Sequence, residues 1–124
     1  MDYRQAIDEA MLYCTTLPNF RCGLFIRTEV EYDIVCDLID DAYKNNFEMK
    51  PLHKGAGFVL TFNNGSTIYF MHFLNDVNDG VCAPRLHMVY ISEHIPKEVI
   101  DTLISPMMIP YQLMDVIKII GAGK

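Results

Sequence analysis

Long apolar runs are missing from this sequence of 124 residues. No stretch approaches the roughly 20 consecutive apolar residues that a membrane-spanning helix needs. The first ten residues, MDYRQAIDEA, carry acids where a secretory signal would carry bases and an apolar core. Because 51% of the residues are hydrophobic, we expect a folded chain with one packed core. The sequence therefore predicts a soluble cytoplasmic protein with a single domain over residues 1–124.

Closely spaced cysteine pairs are also missing. The chain has four cysteines without any C-x-x-C pair, and no secretion signal accompanies them. A disulfide framework is therefore not expected, and buried free thiols are the prediction for Cys14, Cys22, Cys36 and Cys82. The alternative is a metal site that these cysteines form together with His53, His72, His87 and His94, but the spacing of these residues does not support it. We expect neither a metal nor a cofactor.

Basic residues are scarce relative to acidic ones. The chain has 10 Lys and Arg against 16 Asp and Glu, a net charge of −6. Proteins that bind DNA through its phosphates usually carry a basic patch, and none is visible in this sequence. Direct DNA binding by this chain is therefore disfavoured.

The elements are predicted from periodicity and from turn residues. Residues 2–16 show a helical apolar stripe, CGLFIR is an apolar run of strand length, and Asn63-Asn64-Gly65 is a tight turn between two strands. The predicted order is α-β-α-β-β-β-β-α-α, with a last helix over residues 111–120. We therefore expect a small α/β domain with a mixed sheet, a β-hairpin and helices packed on the sheet in two or three layers.

Residues 29–44 form the clearest amphipathic helix, with Thr28 as the predicted N-cap. One face is apolar and is predicted to contain Val30, Ile34, Val35, Leu38, Ile39 and Ala42. Another face is acidic and contains Glu29, Asp33, Asp37, Asp40 and Asp41. Acids near the end of a helix oppose the helix dipole, so this acidic face needs an explanation. It is either a partner-binding surface or an ordinary solvated face.

From about residue 5 to residue 108, the chain resembles the ATPase domain of phage large terminases, the motors that pump DNA into viral capsids. The resemblance is carried, in order, by QAIDEAMLYCTTLPNF, RCGLFIR, the helix after Arg27, TFNNGSTIYF and LHMVYISEHIPKEVI. In that family a helix follows the phosphate loop, a strand ends on an arginine, and a later strand ends on an acidic pair. The resemblance implies the core of a P-loop NTPase in truncated form.

This chain departs from the family at the residues that perform the chemistry. The phosphate loop that would precede the first helix is absent, and Gly121-Ala122-Gly123-Lys124 lacks the remaining glycine and the hydroxyl residue of such a loop. In the acidic pair, Ser92 stands where the family has the carboxylate that holds magnesium, and Glu93 stands where the family positions the attacking water. Arg27 matches the family arginine, although an Arg there could equally pair with Glu29. With these departures, the resemblance implies remnants of a nucleotide site at Arg27, Ser92 and Glu93 and no catalysis. A hydrolase relay of Ser92, Glu93 and His94 is not expected, because neighbouring residues at a strand end point to opposite faces.

Three functions follow from these observations. The first is a non-catalytic phage or prophage factor that uses the acidic face to bind and inhibit or modulate a host enzyme, such as a defence nuclease, in the host cytoplasm. The second is an accessory subunit that completes an ATPase site in trans in a DNA-packaging complex, through Arg27 or Glu93. The third, direct binding of DNA or nucleotide by this chain, is opposed by the charge and by the missing loop. A homodimer through an exposed sheet edge stays open.

Overall fold

The structure is a computed structural model, which describes residues 1–43, 47–51, 57–72, 85–108 and 117–121. The side chains of residues 41–43, 103 and 107 are outside this description. The helices and strands are α1 (Tyr3–Thr16), β1 (Arg21–Ile26), α2 (Glu29–Tyr43), β2 (Glu48–Pro51), β3 (Gly57–Thr61), β4 (Thr67–His72), β5 (Met88–Ser92), α3 (Lys97–Val99) and β6 (Ile117–Ile120). A π-helical segment, Ile100–Ile104, and a 3₁₀ turn, Ser105–Met107, continue α3.

The two long helices form where the sequence predicts them. Helix α1 begins with a capping box, in which the Asp2 carboxylate accepts from the Gln5 backbone N–H at 2.8 Å and the Gln5 side chain accepts from the Asp2 N–H at 2.9 Å. Its predicted apolar stripe is buried, namely Tyr3, Ala6, Ile7, Ala10, Met11 and Cys14. Helix α2 is capped by Thr28, whose hydroxyl accepts from the Glu31 N–H at 3.2 Å. The predictions of both helices and of the Thr28 cap are confirmed.

The hairpin turn also holds the end of α1. Gly65 has a φ of 88°, a backbone conformation that glycine adopts without the steric cost other residues meet. The Asn64 side chain donates to the Cys14 carbonyl at 2.8 Å, and the Ser66 hydroxyl donates to the Leu17 carbonyl at 2.6 Å. Cys14 lies in the last turn of α1 and Leu17 is its C-cap, where backbone acceptors lack intrahelical partners. The predicted Asn-Gly hairpin is therefore confirmed, and it additionally caps α1.

The six strands form one sheet in the order β2-β3-β4-β1-β5-β6. Strands β4, β1, β5 and β6 run parallel to one another. At one edge, β3 pairs antiparallel with β4, and β2 pairs antiparallel with β3. One core cluster joins α1 and α2 to the sheet, and a second cluster joins α3 and the π-helical segment to its opposite face. The α/β fold with a mixed sheet is confirmed, in its three-layer form.

The end of the chain differs from the prediction. A helix was expected over residues 111–120, but residues 117–120 form β6, which pairs parallel with β5. Residues 111–116 lie outside the described residues. The segment Ile117–Ile120 contains three β-branched isoleucines, which favour a strand, and it supplies hydrogen-bond partners to β5. In the segment LHMVYIS, β5 begins only at Met88, and Leu86 makes an isolated bridge with Met108.

The three described cysteines are free thiols, and the prediction of buried thiols is confirmed for Cys14 and Cys22. Cys14 and Cys22 are buried and Cys36 is half-buried, whereas Cys82 lies outside the described residues.

None of the helices in the described ranges is long and apolar enough to cross a membrane.

Candidate functional site at the carboxyl edge of the sheet

The carboxyl ends of β1 and β5 bring two of the predicted site residues to the same edge. The strands are parallel neighbours, with Phe25 in register with Ile91. Arg27 follows β1 directly, and Ser92 is the last residue of β5. In open α/β sheets, ligands bind at this edge, where parallel strands end and loops lead into helices. The structure therefore brings Arg27 and Ser92 to the edge where such folds hold their ligands.

A buried carboxylate that sequence reasoning missed lies at this edge. Glu31, in the first turn of α2, is 3% exposed. Its Oε1 accepts from the backbone N–H of Arg27 at 3.1 Å, from the N–H of Thr28 at 2.9 Å and from the Thr28 hydroxyl at 3.2 Å. Its Oε2 accepts from the Tyr3 hydroxyl at 2.5 Å, and the Ser92 hydroxyl also hydrogen-bonds to the carboxylate. Donors from α1, from the turn after β1 and from β5 therefore converge on one side chain.

The electrostatics of this edge follow from that convergence. Burial acts to raise the pKa of Glu31, but hydrogen bonds from Ser92, Tyr3, Thr28 and Arg27 outweigh it, and the pKa of Glu31 is lowered. Burial and then the adjacent Glu31 carboxylate raise the pKa of the Tyr3 phenol. Glu31 is therefore held as an anion, and Tyr3 as the neutral donor to it.

Ser92 and its two neighbours have separate surroundings. Ser92 is fully buried, and besides its bond to Glu31 its hydroxyl accepts from the His94 backbone N–H at 3.1 Å. The Glu93 side chain is 35% exposed, and its backbone N–H donates to the Ile120 carbonyl at 2.9 Å. The imidazole of His94 lies 3.7 Å from the Glu93 carboxylate. Ser92 is thus part of the Glu31 network, whereas Glu93 and His94 lie at the surface.

Arg27 is half-buried, and its guanidinium Nη1 is fully buried. The backbone of Arg27 contributes to the Glu31 network, as described above. Within the described ranges, no three His, Cys, Asp or Glu side chains lie close enough together to hold a metal ion.

The acidic face of α2 is a second, separate region. Four of its five predicted members are exposed, and these are Glu29, Asp33, Asp37 and Asp40. The backbone of Asp41 lies in α2, but its side chain is outside the description. Two residues of the predicted apolar face are not buried, because Val30 is 68% exposed and Ile34 is 39% exposed. The inward side of α2 is instead centred on Glu31, Val35 and Ile39, which turns Val30 and Ile34 toward the acidic row.

A local signal for Glu31 was present in the sequence. Thr28-Glu29-Val30-Glu31 has the T-x-x-E spacing of a capping box, in which the acid returns to the N-cap backbone. The observed bond from the Thr28 N–H to Glu31 is that contact. No sequence signal indicated Tyr3, because its contact with Glu31 joins two helices.

A mixed sheet with a parallel centre and polar side chains at its carboxyl edge belongs to the open α/β class. Neither a family model nor a curated protein matches the sequence. Among solved structures, the large terminase from a thermophilic bacteriophage is similar, with a TM-score of 0.57, 15% identity, and coverage of 96% of this chain and 29% of the terminase chain. The same terminase in complex with ATP-gamma-S gives a TM-score of 0.56 at 11% identity, covering 96% of this chain and 28% of the other. The chain thus has a large-terminase-like fold, as expected from the resemblance, and it spans less than a third of the length of those terminase chains.

Proposed function

We propose that this chain is a non-catalytic phage or prophage factor that binds a basic surface on another protein through the acidic face of α2. The partner is a host enzyme, such as a defence nuclease, which the factor inhibits or modulates. The observation that carries the proposal is the row of four exposed carboxylates on one side of α2, next to the exposed Val30.

The dimensions and composition of this face support a protein partner with a nucleic-acid-binding groove. At about 1.5 Å rise per residue, the row from Glu29 to Asp40 is about 16 Å long. Regularly spaced negative charges on such a length resemble phosphates along a nucleic-acid backbone, and complementary charge speeds association. Val30 and Ile34 add apolar area beside the charges, as the core of a protein interface requires.

The non-catalytic part of the proposal is supported by the bonding of Ser92. A magnesium site of the terminase type would need a carboxylate at this position, whereas the Ser92 hydroxyl is uncharged and is already bonded to Glu31 and to the His94 N–H. Loss of a metal-holding carboxylate removes stabilisation of the transition-state charge. We therefore expect no ATP turnover by this chain alone.

The experiment begins with affinity capture from host and phage-infected lysates, followed by titration of each purified partner. One variant carries Glu29→Lys, Asp33→Lys and Asp37→Lys. A matched control reverses three exposed acids outside α2, namely Glu48→Lys, Glu98→Lys and Asp101→Lys. We expect the α2 variant to bind at least about tenfold more weakly, the control to bind like wild type, and the wild-type association rate to fall as salt increases. A partner that the α2 variant binds as tightly as wild type would overturn the proposal.

A second candidate is an accessory subunit that completes an ATPase site in trans. The observation in its favour is the 35% exposed Glu93 side chain at the carboxyl edge of the sheet. Arg27 is less suited to this role, because an arginine finger must extend from its own chain into the site of another chain, whereas the Nη1 of Arg27 is fully buried. This function predicts that ATP turnover of a packaging motor rises on mixing with the chain, and that Glu93→Gln abolishes the rise.

A further inference from the structure

The donors around Glu31 form an anion site that the chain fills itself. A capping-box glutamate ordinarily needs one backbone N–H, and at Glu31 that bond comes from Thr28. The Tyr3 hydroxyl, the Ser92 hydroxyl and the Arg27 N–H are additional, and two of these come from other secondary-structure elements. The side chain is almost fully buried, since only 3% of Glu31 is exposed. A helix cap alone explains neither the burial nor the long-range donors.

We propose that Glu31 is a built-in anionic ligand that closes the carboxyl edge between β1 and β5, so that an external small carboxylate or oxyanion can bind there only after the Glu31 carboxylate is removed. The contact is intramolecular and occupies the edge at which open α/β folds bind their ligands. The protein thereby keeps the polar donors of a ligand site while excluding ligands from it. This inference concerns the inner side of α2 and is independent of the acidic outer face.

The test is chemical rescue of Glu31→Ala, which deletes the carboxylate and leaves the donors in place. Sodium formate is the first probe and inorganic phosphate the second, each compared with sodium chloride at equal ionic strength. We expect the variant to melt below wild type, and about 100 mM formate to raise its melting temperature by about 3 °C relative to chloride. Wild type should show no difference between formate and chloride, because Glu31 already fills the site. A comparable rise with phosphate would extend the ligand class to tetrahedral oxyanions.

The inference is overturned if folded Glu31→Ala, as judged by circular dichroism, melts identically in formate, phosphate and chloride. Glu31→Gln keeps the test decisive should Glu31→Ala fail to fold. Glutamine is acceptable in a capping box, so a purely local role predicts a melting temperature near that of wild type. If Glu31 is a built-in anionic ligand, Glu31→Gln should melt clearly below wild type, because the neutral amide presents its own N–H groups to hydroxyl and backbone donors. Near-wild-type stability of Glu31→Gln would therefore reject the proposal.

Discussion

At the scale of single residues, the buried Glu31 carboxylate determines the charge and the hydrogen bonding at the carboxyl edge of the sheet. Removing a carboxylate from water is costly unless donors replace the water, and here backbone N–H groups and hydroxyls do so. The hydroxyl of Ser92 belongs to this set of donors. A carboxylate at position 92 would face Glu31 in a buried space, so serine suits the network that is present.

The lowered pKa of Glu31 predicts a contribution to stability that depends on pH. Because the folded pKa lies below the usual value of 4.5, this contribution is fully present above about pH 4.5 and is lost as pH falls through the folded pKa. The free energy of unfolding of wild type, measured with urea at a series of pH values from 7 to 3, should decline below about pH 4.5. In Glu31→Gln the decline should be shallower.

Glu9 provides the comparison for that experiment. Burial acts to raise its pKa, but hydrogen bonds from Lys118 and Tyr90 outweigh it, and the pKa of Glu9 is also lowered. Glu9 therefore makes a second contribution to the free energy of unfolding that is lost at low pH. This contribution accounts for part of the decline that remains in Glu31→Gln. If Glu31→Gln and wild type lose stability in parallel from pH 5 to 3, then Glu31 is not held as an anion by its donors.

At the scale of elements, α2 carries charges whose effects on the helix oppose one another. Glu29 lies in the first turn, where a negative charge favours the helix dipole, whereas Asp40 lies near the carboxyl end, where it disfavours the dipole. No base in the last turn compensates. A row of acids that continues to Asp40 therefore lowers the stability of α2.

The two exposed ends of the row give a matched pair of substitutions. We expect Asp40→Asn to increase the free energy of unfolding by about 0.5 kcal/mol and Glu29→Gln to decrease it by a similar amount at low salt. Both effects should shrink in high salt because the charges are exposed. Equal signs for the two substitutions in urea unfolding would contradict this account of α2.

At the scale of the whole molecule, a polar contact joins three distant parts of the chain. The Glu9 carboxylate on α1 accepts from the Tyr90 hydroxyl of β5 at 2.7 Å and pairs with the Lys118 ammonium of β6. Tyr90 is fully buried, whereas Lys118 and Glu9 are each 27% exposed. The contact thus holds the last strand of the sheet under the first helix.

From this contact we expect substitutions of its two charged residues to lower the free energy of unfolding by unequal amounts. Glu9→Ala should lower the free energy of unfolding by about 2 kcal/mol, because it leaves the buried Tyr90 hydroxyl without its acceptor. Lys118→Met should cost less than about 1 kcal/mol, because a partly exposed ion pair contributes little. Urea unfolding of both variants measures the difference, and a larger loss for Lys118→Met would show that the ion pair dominates.

The sequence by itself determined the elements whose signals are local. The stripe in α1, the Thr28 cap of α2 and the Asn-Gly turn each depend on residues a few positions apart, so that periodicity and turn chemistry suffice to predict them. That Arg27 and Ser92 lie near the carboxyl ends of apolar strands was also predictable, whereas their common edge depends on the parallel pairing of β1 with β5. The direction of the exposed acids on α2 was predictable from helical spacing.

Only the tertiary structure decided the remaining features, and each of them depends on contacts between distant residues. The segment Ile117–Ile120 is a strand because β5 offers it backbone hydrogen bonds, although an apolar run of that length is equally compatible with a helix. Val30 is exposed because Glu31 turns inward to meet Tyr3 from α1 and Ser92 from β5. The partners of Glu31 come together only when the sheet and both helices are assembled, so no local pattern could predict that this edge holds an anion of its own.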